Sequence, residues 1–109
     1  MSLDQNELSE HLDELVRRIV EAVHPRRIIL FGSAARGQGG PQSDLDVMVV
    51  MPEGVHRRRT AQDIYQHLSG IGVSVDLIVA TESDLRKHKN TIGLIYRTVL
   101  REGRQLYAA

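Results

Sequence analysis

The 109-residue sequence predicts an α/β domain of the α+β kind, a small mixed β-sheet flanked by helices. Two observations predict it. Segments with helical apolar spacing alternate with short runs of strand-forming residues, in the order helix, strand, helix, strand, helix, strand, helices. Glycine or proline stands at nearly every junction, and no repeat, linker or low-complexity tract interrupts the series.

The first helix is expected from Asp4 to about His24, where Leu8, Leu12, Leu15, Val16, Ile19, Val20 and Val23 fall at three- and four-residue steps. Pro25 ends it, because a proline pushes the preceding residue out of helical geometry. Arg27-Ile28-Ile29-Leu30-Phe31 reads as a buried strand. Gly32-Ser33 breaks that strand, Ala34 to Arg36 makes one short helical turn, and Gly37, Gly39, Gly40 and Pro41 impose a loop. A second strand runs from Ser43 to about Met51, with Leu45, Val47 and Val49 on its core face, and Pro52-Glu53-Gly54 closes it. A helix over 57–68 then sets Ala61, Ile64, Tyr65 and Leu68 on one side, and Gly70 and Gly72 stop it. Val73 to Ala80 is the third strand, and Ser83 to Lys89 a short helix. Asn90 or Thr91 is the expected cap of a last helix that turns Ile92, Ile95 and Val99 inward. Gly103 fits the left-handed position past its end, and Gln105 to Tyr107 adds an edge strand.

Composition bounds the function. At this length residues 1–109 are expected to form one domain with one core. Fourteen basic and fourteen acidic residues cancel, so no global charge draws the chain to long nucleic acid, and a polymerase-like grip on it is not expected. There is no cysteine, which excludes disulfides and thiolate metal sites and agrees with a reducing cytoplasm. No apolar run nears the roughly 18–20 residues that span a bilayer, and the amino terminus lacks a signal-peptide layout. A cytoplasmic protein without membrane contact is expected.

The chemistry sits at the strand openings. Asp44 and Asp46, two residues apart on a strand, project to the same face, followed there by Met48 and Val50. Asp76 interrupts Val73-Ser74-Val75-Asp76-Leu77-Ile78-Val79, where an apolar residue would suit a structural strand. If the second and third strands are neighbours, three carboxylates converge and need a multivalent cation between them. Hard oxygen donors suit Mg²⁺, which shares its shell with substrate phosphates. Two such ions about 3.5–4 Å apart can clamp an in-line phosphoryl displacement. Gly32 and Ser33 supply the phosphate side, through close backbone approach, N–H groups at a helix start and a hydroxyl donor. Arg36, one turn later, either pairs with phosphate oxygens or faces solvent.

Gly32-Ser33, ten intervening residues, then Asp44-Leu45-Asp46 resembles the signature of the nucleotidyltransferase superfamily that includes DNA polymerase beta. Phe31-Gly32-Ser33-Ala34-Ala35-Arg36-Gly37 followed by Ser43-Asp44-Leu45-Asp46 is most similar to the MNT-type minimal nucleotidyltransferases, antitoxins of HEPN/MNT modules. The resemblance runs from the leading helix to Gly103. It implies that Asp44 and Asp46 bind both magnesium ions, and that Asp76 completes one site and helps deprotonate the acceptor. By the same resemblance Gly32 and Ser33 hold the triphosphate of ATP, and AMP moves to a tyrosine of a HEPN toxin. Larger relatives carry a second domain for the base or acceptor. None is read within this sequence, so a partner protein or a second copy is expected to complete the acceptor site in a homo- or hetero-oligomer.

Other readings stand beside this one. The protein can mask a toxin by stoichiometric contact alone, or transfer a nucleotide to a small molecule. Asp76 can be a solvated edge-strand acid, and Arg57-Arg58-Arg59 reads as a solvated helix start. His11, His24, His56, His67 and His88 show no metal-ligand spacing. Tyr65, Tyr96 and Tyr107 read as core or partner contacts.

Overall fold

The structure, a computed structural model, describes residues 5–37, 44–91 and 94–109. Among these residues lie α1 (Gln5–Val23), β1 (Arg27–Phe31), α2 (Gly32–Ala35), β2 (Leu45–Met51), α3 (Arg57–His67), β3 (Val75–Thr81), α4 (Glu82–His88), α5 (Ile95–Glu102) and β4 (Arg104–Ala108). The four strands form one sheet in the order β3-β2-β1-β4. β1 runs antiparallel to both β2 and β4, while β2 and β3 are parallel. The expected mixed sheet flanked by helices is the observed one. No helix among the described residues is long and apolar enough to cross a membrane.

Both faces of the sheet are covered, so β2 is apolar on both sides beyond its opening. Leu45, Val47, Val49 and Met51 join Leu12, Leu15, Ile19, Ile64 and Leu68 from the α1 and α3 layer. Met48 and Val50, on the face that Asp46 shares, pack with Ile29, Phe31, Ala80, Leu85 and Val99 under α4 and α5. Alternation along a strand divides the two cores, and the acids lie where the second core gives out.

Local chemistry fixes the junctions. α1 ends as Pro25 requires, with exposed His24 at a φ of 50°. α3 starts on His56, whose Nδ1 accepts from the Arg59 N–H at 3.1 Å; this ring is a helix cap, a role its spacing does not announce. α4 opens with a capping box between Thr81 and Asp84. Arg57 donates to Asp84 at 2.7 Å, Arg27 donates to Glu82 at 3.1 Å, and the Ser83 N–H donates to Glu53 at 2.9 Å. These contacts tie α4 to α3, β1 and the turn after β2.

Three sequence expectations are corrected. Tyr65 is not on a buried face: it is 45% exposed, and its hydroxyl accepts the Leu77 N–H of β3, the outer strand, at 3.0 Å. α5 starts after Leu94 rather than on Asn90 or Thr91, with no side-chain cap; its Val99 is buried, Ile95 is 37% exposed, and Ile92 lies outside the described residues. Gly103 has an extended backbone, φ −71° and ψ 152°, not a left-handed one. Close approach is what requires glycine there: a Cβ would run into the Val99 carbonyl and stand 2.6 Å from Ile29 Cγ2. Gly103→Ala is therefore expected to cost about 1–3 kcal/mol by overpacking, read as a lower denaturation midpoint at unchanged slope.

Candidate active site

The site is built by register. Leu45 N–H donates to the Ser74 carbonyl at 2.9 Å, just ahead of the paired strands. From that start β2 and β3 run in step, and Asp46 is the direct partner of Asp76. Neighbouring strands lie about 4.8 Å apart and paired residues share a face. Asp44 stands exposed immediately before β2, Asp76 is exposed and Asp46 is partly buried. The carboxyl of Asp46 is held above the ordinary carboxylate range, first by its burial, then by the negative charges of Asp76 and Asp44. Asp46 therefore feels the charge of both other acids.

The turn after β1 closes on the same carboxylate. Phe31 is the antiparallel partner of Asp46, so the chain that leaves β1 passes over the opening of β2. Gly32 takes a φ of 73°, and a Cβ on it would collide with Asp46 Oδ2. Glycine is favoured twice, for a left-handed backbone and for leaving the Asp46 carboxylate in place. Ser33 follows, half-buried, in α2. This helix begins at Gly32, two residues before the turn expected from Ala34 to Arg36, with Phe31 as its N-cap residue. Arg36 lies exposed at its C-cap. Ser43, Gly39, Gly40 and Pro41 lie outside the described residues.

Gly32, Asp44, Asp46 and Asp76 thus share one corner of the sheet. Among the described residues no three His, Cys, Asp or Glu side chains are grouped closely enough to hold a metal ion by themselves. The donor set is one of hard carboxylate oxygens with like charges side by side. It fits an ion that takes one or two carboxylates and completes its shell with water and substrate phosphates, as Mg²⁺ does.

The family pattern of the nucleotidyltransferase domain matches residues 8–104. The chain belongs to that family. This nucleotidyltransferase is thereby an enzyme by class, and its corner of acids lies within the matched span. No curated protein matches it. Its fold is shared with a protein from Sulfolobus solfataricus assigned as a nucleotidyltransferase (TM-score 0.62, 18% identity, 99% of this chain and 92% of that one). A chain of a toxin–antitoxin complex with AMP-PNP is similar to it as well (TM-score 0.59, 20% identity, 90% and 73% of the two chains). So is a chain of the tri-AMPylated Shewanella oneidensis HEPN toxin in complex with MNT antitoxin (TM-score 0.55, 16% identity, 93% and 72%). At such identities the likeness is one of fold, and MNT-type complexes are among the structural neighbours.

Proposed function

We propose that this nucleotidyltransferase moves AMP from ATP, with magnesium, onto a tyrosine hydroxyl of a HEPN-type toxin and so acts as its antitoxin in the cytoplasm. The observation that carries the reading is the pairing of Asp46 with Asp76 beneath a left-handed glycine turn whose missing Cβ leaves room for the Asp46 carboxylate. Carboxylates set beside one another are destabilising in a plain structural role, and a bound cation turns that arrangement to use. The structural neighbours that contain an AMPylated HEPN toxin and AMP-PNP support the choice of donor and acceptor.

In this reading Asp44 and Asp46 hold two magnesium ions with the triphosphate, and Asp76 completes one of the two sites. Bound there, magnesium supplies neutralisation of the charge that gathers on the phosphates in the transition state. The backbone of Gly32 and the hydroxyl of Ser33 donate to phosphate oxygens, and Arg36 adds a cationic donor. Asp76, exposed at the outer strand, accepts the proton of the attacking hydroxyl. The oxygen bonds to the α-phosphorus, and pyrophosphate leaves with the electrons of the bond it breaks.

The test is co-expression with a HEPN-type protein followed by intact-mass measurement of that protein. Gain of one or more AMP units, absent with Asp44→Asn or Asp46→Asn, is the expected result. An unmodified toxin that is nevertheless neutralised, and still neutralised by both variants, would replace the catalytic reading with stoichiometric masking.

A further inference from the structure

The chain has no net charge, but its charges are not evenly spread. Between Asp84 and Glu102 there is no Asp or Glu, while Arg86, Lys87, Lys89, Arg97 and Arg101 fall in that stretch. The stretch holds most of α4 and nearly all of α5, joined by the stacking of His88 on Tyr96 with ring centroids 5.5 Å apart. Arg86, Lys87, Lys89 and Arg101 are exposed. Among the described residues no ion pair engages any of the five, whereas Asp84, just before them, is paired to Arg57.

This basic layer covers the sheet face onto which Asp46 and Asp76 project, since Val99 and Leu85 pack on Met48, Val50 and Ala80. α5 also packs against α2, the turn of Gly32 and Ser33. Its outer side is not purely polar. Leu94 is 41%, Ile95 37% and Leu100 39% exposed. A groove of about 490 Å³ runs along this side, lined by Leu94, Ile95, Arg97, Thr98, Arg101 and Glu102. Leu94, Arg97, Thr98 and Arg101 recur at three- and four-residue steps, opposite buried Val99.

We infer that the α4–α5 layer is the docking surface for the acceptor protein, and that the surface it receives is acidic with an aliphatic anchor. The inference rests on the reading that the acceptor is a protein. Charge complementarity selects the sign of the partner. Exposed aliphatic side chains ringed by charge are how protein partners are gripped. Single-stranded nucleic acid is held instead on aromatic platforms, and the ring on this side, Tyr96, is half-buried and stacked on His88. An acceptor seated along α5 lies over the face that carries the acids, beside the turn proposed to hold the triphosphate.

The experiment compares the parent with Arg97→Glu/Arg101→Glu, using the co-expressed HEPN-type protein as probe. Neither arginine belongs to the proposed catalytic set, and thermal melts of the two proteins should coincide. The KM for the HEPN-type protein is expected to rise by about tenfold or more, while kcat and the KM for ATP change by less than about twofold. Direct binding of the labelled HEPN-type protein without ATP should weaken by the same factor, and Arg97→Lys/Arg101→Lys should restore it. Added salt should weaken binding to the parent and leave the reversed variant little changed. Unchanged KM and unchanged binding would overturn the inference, as would failure of the parent to bind. Polyuridylate binding to the parent, lost on charge reversal while the KM for protein holds, would assign the layer to nucleic acid and overturn it too. If no AMP is transferred yet charge reversal still weakens binding, the docking surface stands and the catalytic reading falls.

Discussion

Gly32→Ala is expected to cut nucleotidyl transfer by about a hundredfold or more, the loss that a displacement of about 1 Å at a reacting group can cause. Two effects add. The φ of 73° costs a residue with a Cβ about 1–2 kcal/mol, and the new methyl must push Asp46 Oδ2 away. The second effect is the larger for activity, because Asp46 lies at the centre of the three acids. Gly70→Ala separates the two. Gly70 has a φ of 76° and nothing within 4 Å of its added Cβ, so it should lose comparable stability and keep its activity. Guanidinium titration and an intact-mass time course on both variants measure this. Equal activity losses in the two would mean that strain alone, not the contact with Asp46, explains Gly32.

Asp46→Asn is expected to abolish transfer, by roughly a thousandfold, and to make the metal-free protein more stable. Activity and stability move in opposite directions because the native carboxylate is held partly buried beside two others. Removal of one of two opposed like charges should return about 0.2–1 kcal/mol. The pH dependence follows from the raised pKa. Folded Asp46 keeps its proton to higher pH than in the unfolded chain, where the value is 3.8, so the parent loses stability as pH climbs from there through the raised folded value. The asparagine variant has no such loss. With EDTA present, the two melting temperatures should converge in acid and separate toward neutral pH, the variant higher. A variant that melts lower at neutral pH would show that the Asp46 carboxylate is a structural support.

Much of this site could be read from residue order. Alternation sets Asp44 and Asp46 on one expected face, although Asp44 lies just before β2, and Asp76 stands out because it interrupts an apolar run. Pro25 and Gly32 bracket β1 at the observed positions, since both impose backbone geometry irrespective of context. What was not legible depends on distant parts of the chain. The step-by-step pairing of Asp46 with Asp76 requires β2 and β3 to be parallel neighbours, a register that α3 and the Leu45–Ser74 bond deliver and no local pattern states. Tyr65 has core spacing yet reaches around to β3, because a long side chain with a hydroxyl serves an unpaired N–H better than a core. Gly103 carries a helix-end signal, but the contact that demands it comes from Ile29 on another strand. The basic layer escapes a count of total charge, though the acid-free stretch before Glu102 was open to view.

Tyr65 carries one more consequence. β3 is one rim of the sheet, and a rim strand offers its bare amides to any extended chain that passes. By occupying the Leu77 amide, the tyrosine removes a rung from the ladder on which identical molecules would stack. It does so one residue from Asp76. A single phenol ring therefore discourages filaments at the margin that holds the third acid.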